Sequence, residues 1–315
     1  MLTAAAVLLS GSANRPLAEA IADYLGLPLG KAIVDRYPDH EAHVRLEESV
    51  QGRDVYLIQP TSPPADAHLI EFLLLADASR RAGARRLIAL VPYFGYARQD
   101  RRDEASHPIA ARVVADILQL AQIERLVVVD PHSPSLEGFF SIPVETVSVV
   151  PTLATAVRSI APPPSVIVAP DLGAVRLAER YAAELDLPVA LIHKTRVSGH
   201  TVQVRGIMGD VRGQAPLLVD DMITTGGTIE AAIETLLANH CRPEIVVAAT
   251  HGVFVAGAAS RLARLPIQRG LVTDTVLPGG DLPPQFEVVS VRTLLAETIA
   301  RLHADHSSSR SIAAQ

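Results

Sequence analysis

The sequence predicts an α/β protein built as two doubly wound, mostly parallel-sheet domains, and three observations carry that expectation. The chain has 315 residues, long for one core and suited to two domains of about 150 residues each. Short apolar runs resembling buried strands alternate with segments of helical periodicity along nearly the whole length. Hydrophobic residues make up 49% of the chain, enough for both halves to bury a core.

The opening "MLTAAAVLLSGSAN" has the small-residue ending of a secretory leader but no Lys or Arg ahead of its apolar run, so it reads as the first strand. Ser12 and Asn14 follow as turn or cap residues. Pro16 stands in a first helical turn, and "LAEAIADYLG" is a helix that Gly26 ends. Further strands are expected at "DVYLIQ", "RRLIALVPY", "RLVVVD", "SVIVAPD", "APLLVDD" and "EIVVAAT", with helices between them. The boundary is expected near Val147 to Pro151. An N-terminal α/β domain then covers 1–148 and is joined by a C-terminal helix over 292–303, while a C-terminal α/β domain covers 149–291. The polar stretch 304–315 reads as a fraying tail.

Composition limits the partners. With 28 basic and 34 acidic residues the formal charge is −6, which argues against nucleic acid and leaves small anionic substrates open. No apolar run reaches the roughly 18 residues of a membrane span. The single cysteine, Cys241, excludes an internal disulfide and a multi-cysteine zinc site, and agrees with a cytoplasmic location.

Ligands of such folds bind beyond the carboxyl ends of the strands, so the residues after each apolar run carry the chemistry. In "LLVDDMITTGGTIEAAIETLL", Leu217 to Leu237, a strand leads through Asp220 and Asp221 into a Thr/Gly turn and then a helix. Gly226 and Gly227 permit close backbone approach, and the hydroxyls of Thr224, Thr225 and Thr228 join the free amides of a helix N-terminus, where the dipole favours an anion. The loop lacks the Lys of a P-loop and fits a phosphate monoester. Two carboxylates would repel that phosphate, so they are set to accept hydrogen bonds from neighbouring hydroxyls or to hold a cation. A phosphate beside vicinal hydroxyls describes a sugar phosphate.

Three other strand ends add charge. "VPYFGYARQDRR" puts Arg98, Gln99 and Arg101 beside Tyr93, Phe94 and Tyr96, guanidinium forks for a polyphosphate and rings for stacking a base. "VVVDPHSPSLEGFF" places Asp130 and His132 past a strand, and Asp171 follows another, with Gly173 opening a helix. "IHKTRVSGHTVQV" carries Lys194 and Arg196 in a loop flanked by strands, with Ser198, Gly199 and His200 marking the turn. Two cations there can close on a transferring phosphoryl group.

Together, "PYFGYARQDRR" and "VDDMITTGGT" resemble the ribose-phosphate diphosphokinase (5-phosphoribosyl 1-diphosphate synthase) family, over nearly the whole chain from Gly11 to Arg301. The resemblance implies domains of the type I phosphoribosyltransferase kind. It implies ribose 5-phosphate on Arg196, Asp220, Asp221, Thr224, Thr225, Gly226, Gly227 and Thr228, and ATP on Arg98, Gln99, Arg101 and His132. Tyr37, Asp39 and Glu41 of "RYPDHE" would reach the adenine of a neighbouring subunit, making the protein a homo-oligomer. Lys194 and Arg196 would be catalytic, and His132 and Asp171 would be linked to Mg2+. The implied reaction passes the β,γ-diphosphoryl group of ATP to the 1-hydroxyl of ribose 5-phosphate and releases AMP.

Some positions depart from the common pattern. Thr224 replaces an Asp, His40 stands where Gly is usual, and Pro131, Ser135 and Glu137 replace Leu, Gln and Gln, departures of a divergent or archaeal-type branch. A type I phosphoribosyltransferase would explain the Val219 to Thr228 motif but leave "PYFGYARQDRR" unused. A non-catalytic regulatory relative would be expected to lose His132, Asp171, Lys194 or Arg196, and all four are present.

Overall fold

The computed structural model describes residues 6–102, 104–198, 201–278 and 282–313, with the backbone alone for 194–198, 201–205 and 306–313. The chain divides into two compact units, one of residues 1–147 with 290–315 and one of residues 148–289.

The first unit runs β1 (Ala6–Ser10), α1 (Arg15–Leu25), β2 (Ala32–Arg36), β3 (Ala42–Leu46), β4 (Asp54–Ile58), α2 (Ala65–Arg81), β5 (Arg86–Val91), α3 (Ala110–Leu120), β6 (Arg125–Val129), a 3-10 helix (Pro134–Phe139) and β7 (Val144–Val147). Its main sheet is all parallel in the order β1-β4-β5-β6-β7. Local chemistry sets the first crossover: the Asn14 side chain accepts from the Leu17 amide, proline occupies the first turn of α1, and Gly26 ends it at φ 67°. Strand alternation divides the sheet's faces. Val7, Leu9, Val55 and Leu57 pack with Phe72 and Leu75 of α2 in one core.

The second unit runs α4 (Val150–Arg158), β8 (Ser165–Ala169), a short 3-10 turn (Leu172–Ala174), α5 (Val175–Leu185), β9 (Val189–Ser198), β10 (Thr201–Met208), β11 (Ala215–Ile223), α6 (Gly227–Ala238), β12 (Ile245–Gly252), α7 (Ala258–Leu262), β13 (Ile267–Thr273) and β14 (Phe286–Val289). The sheet order is β10-β9-β8-β11-β12-β13-β14, parallel except for the β9/β10 pair. From β8 the chain moves to β9 on one side, and from β11 to β12 on the other. The winding therefore reverses between β8 and β11, and such a reversal opens a crevice at the carboxyl ends of the two strands.

The last helix, α8 (Arg292–Ala313), belongs to the first unit. Its His303 meets the Tyr56 hydroxyl, 3.3 Å from Nδ1, on the sheet face opposite Val55 and Leu57. Asp54, buried beside them, takes hydrogen bonds from Arg85 and Arg86 at 2.7 Å each. Burial alone would lift the Asp54 carboxyl, but the two guanidinium groups outweigh it and hold the group below its usual range. The stretch 304–315, expected as a frayed tail, is helical as far as Ala313.

A second difference concerns Lys194 and Arg196, expected in a loop. Their backbone lies in β9, where Lys194 pairs with Val204 and Arg196 with Val202. "VALIHKTRVS" and "TVQVRGIM" are rich enough in β-branched residues to extend an antiparallel ladder through both cations. The side chains of Lys194 and Arg196, and the turn residues Gly199 and His200, lie outside the described residues.

Candidate active site

In the second unit three acids and one loop meet at the winding reversal. Asp220 and Asp221 follow Leu218, which pairs with Val168 of β8, and Asp171 stands two residues past the end of β8. Burial pushes the Asp220 carboxyl well up, and the carboxylates of Asp221 and Asp171 push it the same way. The Asp221 amide donates to Asp220 Oδ1 at 3.0 Å, which fixes the orientation of the first acid. Asp171 Oδ1 accepts from the Gly173 and Ala174 amides at 2.9 and 3.3 Å, so this carboxylate caps the turn that opens α5. Among the described residues no group of three His, Cys, Asp or Glu side chains is arranged to hold a metal ion by itself.

The loop Thr224 to Thr228 leaves β11 directly behind the acids. Gly226 caps α6 in the left-handed region, at φ 77° and ψ −2°, and a Cβ there would come within 3.2 Å of the Leu262 side chain. Glycine satisfies both demands. Thr225 and Thr228 are exposed while Gly226 is buried. The loop thus presents hydroxyls and the first amides of α6 outward, the geometry of an anion site.

In the first unit the predicted ATP residues fall into two groups. Arg98, Gln99 and Arg101 lie exposed on the loop after β5, and His132 lies exposed just past the neighbouring β6. The loop is fixed at Gly95, whose amide donates to Thr61 Oγ1 at 2.7 Å and whose missing Cβ would fall 2.4 Å from the Thr61 carbonyl oxygen. Two of the three rings expected to stack a base are core residues instead. Tyr93 and Phe94 are buried, Phe94 edge-on to Phe140 with centroids 6.1 Å apart, and only Tyr96 is exposed. The aromatic side chains fill the space under the loop because the apolar run of β5 continues past the strand end.

Tyr37, Asp39 and Glu41 form the tip of the β2/β3 hairpin. The Tyr37 amide donates to the Glu41 carbonyl at 2.9 Å, and the Glu41 amide to Asp39 Oδ1 at 3.1 Å. His40 sits at φ 70°, a left-handed position, which accounts for the glycine usual there. Sequence reasoning missed what anchors this hairpin. Glu71 of α2, almost fully buried, accepts from Arg36 at 2.7 Å, from Gln59 at 3.1 Å, and from the Ser12 amide and hydroxyl at 3.2 and 2.5 Å. Its one legible signal was a lone acid inside the apolar "LIEFLLLA". A cavity of about 290 Å³ lies away from these loops, at the amino ends of β5 and β6. Its arginines are already paired, Arg86 with Asp54, and Arg125 and Arg301 with Glu145.

The likeness to known proteins spans both units. Residues 6–121 match the family model described as the N-terminal domain of ribose phosphate pyrophosphokinase, and residues 153–264 match the phosphoribosyl transferase domain. The chain is 41% identical over 302 residues to a ribose-phosphate pyrophosphokinase of Nostoc sp., covering 95% of this chain and 91% of that one. It is 40% identical over 296 residues to the Thermotoga maritima protein of the same name, with 93% of each chain covered. The crystal structure of phosphoribosylpyrophosphate synthetase from Mycobacterium smegmatis superposes with a TM-score of 0.88 at 36% identity, over 95% of this chain and 99% of that one. On these matches the chain belongs to the ribose-phosphate pyrophosphokinase family.

Proposed function

We propose that the protein transfers the β,γ-diphosphoryl group of ATP to the 1-hydroxyl of ribose 5-phosphate, giving 5-phosphoribosyl 1-diphosphate and AMP. The observation that carries this reading is the meeting of Asp171, Asp220, Asp221 and the Thr224 to Thr228 loop at the β8/β11 reversal, in a chain of this family. The 5-phosphate binds the amides and hydroxyls of the loop. The ribose hydroxyls donate to Asp220 and Asp221, and in doing so relieve the crowding of three carboxyls. The 1-hydroxyl oxygen attacks the β-phosphorus as the bond to the α-phosphate oxygen breaks. AMP leaves with the electron pair, and the hydroxyl proton is lost.

Arg98, Gln99, Arg101 and His132 hold the ATP, with Tyr37, Asp39 and Glu41 of a neighbouring subunit on the adenine. Lys194 and Arg196 stabilise charge that grows on the transferring group. His132 and Asp171 are the residues that would be linked to Mg2+, and the Asp171 carboxylate suits that hard cation. Bound there, Mg2+ would supply charge neutralisation at the substrate phosphates. ATP supply and the single cysteine favour the cytoplasm, and among the described residues no helix is long and apolar enough to cross a membrane. Incubation with ribose 5-phosphate, ATP and Mg2+ tests the reading: AMP is the expected nucleotide, while ADP, or no product, would overturn it.

A further inference from the structure

We propose that Arg261 is a positioning residue for the anion loop: from α7 it holds the Thr225 to Gly226 peptide so that amides rather than carbonyls face the 5-phosphate. The inference rests on the reading of that loop given above. A loop that binds an anion through N–H groups must turn its carbonyl oxygens away, and carbonyls turned inward need donors. Residues 253–261 supply them. The amides of Val253 and Phe254 donate to the Ile223 carbonyl at 3.0 and 3.1 Å, and the Val255 amide donates to the Thr224 carbonyl at 3.0 Å. Arg261 donates to the Thr225 carbonyl at 2.6 Å. Three successive carbonyls are thus held from one side, two by backbone and the third by a side chain.

That third peptide is where control matters. Its N–H belongs to Gly226, at the φ 77° turn into α6. A glycine has access to both signs of φ, so a flip of this peptide would exchange the amide for a carbonyl oxygen and set a negative dipole end against the phosphate. The guanidinium is oriented by its second contact, Nε to Glu230 Oε2 at 3.1 Å on the first turn of α6. The bracing segment itself carries strain: Phe254 and Ala256 sit at φ 44° and 52°. Non-glycine residues persist there only when surrounding structure over-determines them, as the bonds to residues 223 and 224 do.

The test is steady-state kinetics of Arg261→Ala, Arg261→Lys and the parent, with thermal unfolding as a check on the fold. At saturating ATP we expect R261A to raise the KM for ribose 5-phosphate about tenfold while the KM for ATP and kcat change less than about threefold. R261K should recover part of the loss, because one ammonium donor still reaches the Thr225 carbonyl. A general structural weakening would lower the melting temperature without this split. A folded R261A with a ribose 5-phosphate KM within about twofold of the parent, or with both KM values raised equally, overturns the inference. If R261A does not accumulate folded, R261Q is read against the same two outcomes. A parent that forms no AMP would instead fail the proposed reaction. The loop is then judged by calorimetric titration with ribose 5-phosphate, where R261A must bind about tenfold more weakly for the inference to stand.

Discussion

At Asp220 a carboxyl sits where its charge is least welcome, pushed up first by burial and then by the carboxylates of Asp221 and Asp171. An acid whose folded pKa exceeds its unfolded value keeps its proton longer in the folded state. Its stabilising contribution is therefore complete below the ordinary value of 3.8 and is lost as the pH rises through the folded value. Asp220→Asn, whose side-chain oxygen can still accept from the Asp221 amide, should raise the melting temperature of the unliganded protein near neutral pH and flatten the loss of stability on the way there. Calorimetry over an acid-to-neutral series checks this, and a variant no more stable than the parent at neutral pH would sink it. Function and stability oppose each other at this residue, as expected where like charges are assembled for a ligand. Asp221 makes the complementary case. In the proposed site only the sugar phosphate presents hydroxyl donors at that strand end, so Asp221→Ala should raise the ribose 5-phosphate KM and leave the ATP KM nearly intact. An unchanged sugar-phosphate KM would remove Asp221 from the site.

Among the elements, β9 and β10 carry the strongest kinetic expectation. Donors aimed at the transferring group act on the transition state more than on bound ATP. An arginine finger in comparable chemistry is worth about 10³ to 10⁵ in kcat. Lys194→Ala should fall near the lower end with ribose 5-phosphate affinity held, since the 5-phosphate is proposed to sit on Thr225 to Thr228, and the double alanine variant should be lower still but less than multiplicatively. AMP formation by the double variant within about tenfold of the parent would remove the hairpin from catalysis. The same hairpin marks where the sequence stops being legible. Buried parallel strands such as "LVVV" and "VIVA" announce themselves as continuous apolar runs, and the loop glycines announce themselves by composition. The sequence reading named Lys194 and Arg196 but not their strand pairing, since charged residues break the apolar pattern while β-branched neighbours still form the ladder. The small β2/β3 sheet and the edge strands β7 and β14 were missed for a related reason: they are short and largely half-exposed, with little apolar signal, while in β13 the polar Gln268 and Arg269 and Gly270 interrupt the apolar run. The partners of Glu71 and Arg261 could not be read, because they are backbone groups and side chains distant in sequence, and spacing alone does not encode such contacts.

For the whole molecule, the proposed adenine site makes activity a property of the assembly. Arg98, Gln99 and Arg101 would act from one chain while Tyr37, Asp39 and Glu41 act from its neighbour. In a two-fold interface each residue meets the partner's site reciprocally, so every interface holds two such composite sites. This arrangement allows a complementation experiment. Asp39→Ala and Arg101→Ala would each disable every site in their own homo-oligomers. In a mixed interface, one of the two sites combines the intact Asp39 of one chain with the intact Arg101 of the other, and the remaining site carries both lesions. Random mixing makes half of the interfaces mixed, so about one quarter of all sites should recover. The recovery should appear only after the oligomers are dissociated and reassembled together, because exchange of chains is what creates the mixed interface. Activity of the reassembled mixture no greater than the average of the two variants, or a fully active monomer by sedimentation at assay concentration, would place the whole adenine site within one chain. The buried Glu71, which fastens Arg36 beside the hairpin tip, would then be steadying a surface turn rather than presenting three side chains to a neighbour.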